Sequence, residues 1–192
     1  MIYPIVAYGH PVLKKEGEDI EKGEIDVKEL AEDMFETMHH AKGIGLAAPQ
    51  IGKSLRMFIA DASPLEDEEI GDWKQVFINP EIIEEHGEDW TFEEGCLSIP
   101  SIREDVIRPE NLKIHYFDEN WDEHTEVFDG IKARIIQHEY DHLDGILFTD
   151  HLSAFKKRLL KSKLTGISKG IVKVEYRMSF PAKNKPLTRS IN

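Results

Sequence analysis

Histidines at positions 138 and 142, with a glutamate directly after the first, constrain this chain more than any other stretch. In Gln137-His138-Glu139-Tyr140-Asp141-His142-Leu143-Asp144-Gly145 the two histidines stand four residues apart. On an α-helix that spacing puts both on one face, one turn apart. Both imidazoles can then reach a single metal ion. Glu139, beside the first, can touch a water bound to that metal, so the run offers two ligands and a general base. The competing reading is a polar helix face that binds nothing.

A catalytic metal usually takes three protein ligands plus water. The only cysteine of the chain, Cys96, lies in Glu93-Glu94-Gly95-Cys96-Leu97-Ser98-Ile99-Pro100. It is the obvious third ligand, with a thiolate that the metal would keep deprotonated. A lone cysteine is otherwise most often a small buried hydrophobe. Asp144 and His151, downstream, are the alternative third ligands, though neither has the spacing of the zinc proteases.

With 192 residues, 40% of them hydrophobic and 32% charged, the expectation is a single globular domain over 1–192. No apolar run is long enough to cross a bilayer, so no membrane partner is expected. Met1-Ile2-Tyr3-Pro4-Ile5-Val6 lacks a basic stretch followed by a long apolar core, which argues against a signal peptide. One cysteine excludes an internal disulfide, and the cytoplasm is the natural compartment for an available thiolate. The net charge of −13 is unevenly spread: a basic C-terminal extension from about 151 carries eleven Lys and Arg against one acid, Glu175. The first 150 residues hold 13 basic and 36 acidic side chains, a balance of −23. Such a body argues against DNA or general nucleic-acid binding. The extension is either an interaction segment or a solvated tail.

Periodicity places the elements. Asp26 to Lys42 reads as a helix with Asp26 as N-cap, Gly43 as the left-handed residue after it, and Val27, Leu30, Met34, Met38 and Ala41 as its apolar stripe. His39 and His40 would cap its end or face solvent. Gly43-Ile44-Gly45-Leu46-Ala47-Ala48-Pro49-Gln50 describes backbone that something must approach closely, or a tight turn. Gln50 can donate an amide hydrogen bond to a developing oxyanion. Short strands follow over 56–60, 75–79, 81–86, 111–117 and 126–128, with the acidic stretch 61–72 as a surface loop. Ile131, Ile135 and Ile136 give the metal helix its apolar face. Further on, Phe155, Leu159 and Leu160, with Leu164 a turn later, form the stripe of a C-terminal helix. The result is an α+β fold, with antiparallel sheets packed around a central metal-binding helix and a helix at either end of the chain.

Three segments together resemble peptide deformylase: Gly43 to Gln50, Glu94 to Ser98, and Gln137 to His142. They stand in the order and at the separations of that family's motifs, and the resemblance covers roughly Tyr8 to Ser153. It implies a metal held by Cys96, His138 and His142, with water in the fourth position. The family's native ion is usually Fe(II), although Zn(II), Ni(II) or Co(II) can occupy the site. Glu139 would take the proton of that water. The hydroxide would attack an N-terminal formyl group, and Gln50 and the Leu97 backbone N–H would stabilise the oxyanion. The implied substrates are N-formylmethionyl nascent peptides, lying extended along Ile44 and Gly45. Ile131 and Ile135 are candidates for the methionine pocket, and Arg103 resembles the family's peptide-binding arginine. Arg134 looks polar for a pocket wall, and Arg108 is a candidate to pair with Asp141. Some family members are thought to meet the ribosome through a C-terminal helix, which 154–173 resembles loosely. An ordinary zinc peptidase and a non-catalytic metal-stabilised module are the competing readings.

Overall fold

In the computed structural model, residues 1–65 and 70–181 are described. In chain order the elements are β1 (Ile5–Val6), α1 (Val27–His40), β2 (Gly45–Ala47), β3 (Met57–Asp61), β4 (Lys74–Cys96), β5 (Ile99–Phe117), β6 (Glu123–Asp129), α2 (Gly130–Leu143), α3 (Ala154–Ser168) and β7 (Met178–Ser179). Strands β2 to β6 form one antiparallel sheet in sequence order, and a parallel two-stranded ribbon joins β1 to β7. The α+β architecture is therefore as expected, with the β1–β7 ribbon as an addition. Helix α2 packs against β2, β3 and β5.

Helix α1 starts where the sequence places it, because the Asp26 carboxylate accepts from the Lys28 and Glu29 N–H groups. Its whole apolar stripe is buried. It ends differently. The left-handed residue is Lys42, at φ 58, while Gly43 is one place further on. The Lys42 N–H donates to His39 O and the Gly43 N–H to Met38 O, the paired bonds of a Schellman ending. Gly43 instead lies against Leu97: a Cβ there would come within 2.8 Å of Leu97 Cδ1, so the leucine side chain would have to shift. His39 is not simply a cap either, since its Nε2 lies 2.8 Å from the buried Asp61 carboxylate.

The expected strands over 56–60 and 126–128 are β3 and β6, whereas the other three are parts of two long ones. Residues 75–79 and 81–86 both belong to β4, and 111–117 is only the end of β5. Asn79-Pro80 interrupts the pairing without ending the strand. The register slips between Ile78 and Glu81, where the missing N–H of Pro80 costs nothing. Asn79 takes φ 47 and ties its side-chain amide to both backbone groups of Ile20. Within the acidic stretch, Asp61 completes β3 and Ser63–Leu65 forms a short 3-10 turn. Residues 66–69 of that stretch, and 182–192 of the basic extension, lie outside the described residues.

In α3 the buried residues are Leu160, Leu164 and Ile167, whereas Phe155 and Leu159 are 68% and 64% exposed. The stripe read from the sequence is thus rotated: the packed face begins at Leu160 and continues past Leu164. No helix among the described residues is long and apolar enough to cross a membrane.

Candidate metal centre

Two elements bring the ligand candidates together. Cys96 is the last residue of β4, and His138 and His142 sit one turn apart on α2. Their potential ligand atoms all lie within 4.8 Å of one another. Cys96 Sγ is 3.4 Å from His142 Nε2. Burial alone would raise the Cys96 thiol pKa, but the neighbouring His142 and His138 imidazoles overcome this and bring it down to about 5. A thiolate and two imidazoles in one small cluster suit a borderline divalent metal such as iron or zinc. The two alternative third ligands are occupied elsewhere. His151 Nε2 lies 2.7 Å from Asp141 Oδ2, and Asp144 accepts from Arg56 at 2.7 Å.

Sequence reasoning gave Glu94 no task, yet it organises the cluster from behind. Its carboxylate meets His138 Nδ1 at 2.8 Å, which turns His138 Nε2 toward the other ligands. The same carboxylate accepts from Arg108 at 2.7 and 3.1 Å and from Arg134 at 2.9 Å. Burial pushes the Glu94 pKa up, but bonds from His138 and Arg108 hold it well below the ordinary carboxylate range. Arg108 also donates to Asp141 at 2.8 Å, so the pairing read from the sequence is present but shared. Strand alternation was the available signal: residues 94 and 96 point to the same face, so a carboxylate two before a ligand belongs beside the metal ligands.

Glu139 is 5% exposed, with Oε2 unpaired. Burial is the main cause that lifts its pKa to about 7. Gly45 faces it. A Cβ on Gly45 would stand 2.8 Å from Glu139 Cδ, so the missing side chain leaves room for this carboxylate. That is a second use for the glycine, beside the close backbone approach read from the sequence. Gln50, in a 3-10 turn over Ala48–Ile51, is almost fully buried. Its Oε1 accepts from the Ala47 N–H at 2.8 Å, which aims Nε2 toward Cys96 Sγ, at 3.4 Å, and Ser98 Oγ, at 3.3 Å. Among the described residues the Leu97 N–H has no hydrogen-bond partner.

A cleft of about 1260 Å³ opens in front of this cluster. Ile44, Gly45, Gln50, Cys96, Leu97, Arg103, Ile131, Ile135, His138 and Glu139 all line it. Arg134 lines it too, but its guanidinium is turned to Glu94 and to the Trp90 and Val106 carbonyls. Its charge is therefore compensated behind the wall. A further wall, Lys173 to Tyr176, comes from the segment after α3 and was not foreseen.

A family model described as polypeptide deformylase matches residues 2–158. A peptide deformylase of Cytophaga hutchinsonii is 62% identical over 183 residues, covering 95% of this chain and 100% of the relative. One from Salinibacter ruber is 47% identical, covering 92% and 93%. Among solved structures, the peptide deformylase of Thermotoga maritima is similar with a TM-score of 0.73 and 39% identity, covering 80% of this chain and 99% of that one. That of Plasmodium falciparum gives 0.78 and 36%, covering 86% and 95%.

Proposed function

This chain belongs to the peptide deformylase family, and we propose that it removes the formyl group from the N-terminal methionine of newly made proteins with Glu139 as general base and acid. The observation that carries the proposal is the meeting of a Cys96, His138 and His142 cluster with a buried, unpaired carboxylate on the wall of one cleft. Cys96, His138 and His142 would hold one divalent ion, Fe(II) in the native enzyme, with Zn(II), Ni(II) or Co(II) accepted by the same donors. When bound, the ion supplies Lewis acidity, which makes water nucleophilic at neutral pH and polarises the formyl carbonyl.

The chain's own residues do the rest. Glu139 takes the proton of the attacking water through its free Oε2 and returns it to the departing amine, so that formate and a free N-terminus leave. Gln50 Nε2 and the Leu97 N–H donate to the oxyanion. β2 is an edge strand, so an extended peptide can pair along Ile44 and Gly45 as one more strand. Ile131 and Ile135 offer apolar wall to the methionine side chain, and Arg103 offers charge to the peptide beyond it. We place this work in the cytoplasm, within one catalytic domain over 1–192 that carries a basic extension. α3 would give that domain a weak, salt-sensitive hold on the ribosome.

Metal-loaded protein should release formate from a formyl-methionyl peptide and leave the acetyl-methionyl counterpart intact. Cleavage of internal peptide bonds without formate release would favour a peptidase instead.

A further inference from the structure

The turn from β4 to β5 is short and carries two functional atoms, the Cys96 thiolate and the Leu97 N–H. Cys96 pairs with Ile99, leaving only Leu97 and Ser98 between the strands. Two-residue hairpins ordinarily use turns with positive φ at their central residues. Neither Leu97 nor Ser98 has it; the left-handed residue nearby is Ser101, at φ 64. The pairing also slips, from Gly95 opposite Arg103 to Cys96 opposite Ile99, so residues 100–102 have no partner on β4. The ladder therefore does not fix this turn, which must be held from outside.

Three side contacts hold it. The Tyr8 N–H donates to Ser98 O at 2.9 Å, and Gln50 Nε2 donates to Ser98 Oγ at 3.3 Å. The third reaches Leu97 itself: the Tyr176 hydroxyl donates to Leu97 O at 2.8 Å. The Tyr176 ring packs on the core cluster under α1, and β7, two residues on, is paired to β1. The hydroxyl thus projects from a packed ring whose segment is anchored on its C-terminal side. Cys96 fixes Leu97 from before, and a bond to the Leu97 carbonyl fixes it from after. Together they define the direction of its N–H.

We propose that Tyr176 is a positioning residue for the oxyanion: its hydroxyl holds the Leu97 carbonyl and so aims the Leu97 N–H into the cleft. The inference rests on the deformylase reading for its kinetic part only. Tyr176→Phe keeps the ring and removes the bond. In metal-loaded Tyr176→Phe, kcat for a formyl-methionyl peptide should fall between about threefold and 100-fold, below the loss expected for removing a whole oxyanion donor. KM and metal content should stay within about twofold, because the bond serves the transition state and not the ground state. In zinc-loaded, nitrogen-labelled protein the Leu97 amide resonance should shift or broaden. Wild-type kcat in the variant overturns the inference, and so does a loss confined to KM or to metal content. If the wild-type protein released no formate, the deformylase reading would fall, and an unmoved Leu97 amide would then separately overturn the Tyr176 contact.

Discussion

At the residue scale, the site depends on two side chains that are small or absent. Gly45 leaves the volume that the Glu139 carboxylate needs, since a Cβ there would stand 2.8 Å from Glu139 Cδ. Gly45→Ala should therefore lower kcat by about 10- to 100-fold, the scale of a misplaced catalytic group, while KM changes little. Steady-state formate release checks this, and a KM effect alone would return the glycine to the substrate. Cys96→Ser exchanges a thiolate for a neutral hydroxyl, a far poorer ligand. Metal affinity should drop by more than the roughly 10- to 100-fold that loss of an outer partner costs, as read by competition with a chelator. Cys96 was legible as the chain's one cysteine once two histidines called for a third ligand, whereas the room that Gly45 leaves for Glu139, 94 residues away, was not. Glu94 was harder to read as well: its partners Arg108, Arg134 and His138 are 14, 40 and 44 residues away, and only the fold brings them to one carboxylate.

At the element scale, periodicity found α1, α2 and α3, and it failed where a face had to be chosen. Phe155 and Leu159 match an apolar stripe as well as Leu160 and Leu164 do, but only the latter pair meets the body of the protein. The long β4–β5 hairpin read as separate strands because Pro80 and the polar run around His86 look like breaks. Two predictions belong here. On α3, Lys156 is already paired with Glu104 and Lys157 with the Asp150 carbonyl, which leaves Arg158, Lys161 and Lys163 as the charges for an anionic partner. Arg158→Gln, Lys161→Gln and Lys163→Gln together should reduce low-salt co-sedimentation with ribosomes and leave turnover of a short formyl-methionyl peptide unchanged. If wild-type protein does not co-sediment even at low salt, α3 is purely structural. At the end of β3, burial raises the Asp61 pKa, but bonds from Ser63 and His39 take it below its ordinary value. Its stabilisation is present above about pH 4 and is lost as pH falls through the lowered folded value. Asp61→Asn should cost about 1–3 kcal/mol at pH 6, and the gap in Tm between variant and wild type should narrow toward pH 3.

At the scale of the whole molecule, the sheet packs on α2 and three segments meet at the cleft beside it. β2 supplies the free edge, the β4–β5 turn supplies Cys96 and Leu97, and the segment before β7 closes one side of the cleft. The last of these was illegible because nothing in 169–181 carries a motif; its role depends on the pairing of β7 with β1, across almost the whole chain. We propose that this assembly hydrolyses a formamide with Glu139 moving the proton. The most direct test is formate release by Glu139→Gln with its metal content matched to wild type. A folded, fully loaded protein is expected, with kcat lower by roughly 10²- to 10⁴-fold, the usual worth of a general acid–base group. A loaded Gln variant that releases formate at near the wild-type rate would contradict it.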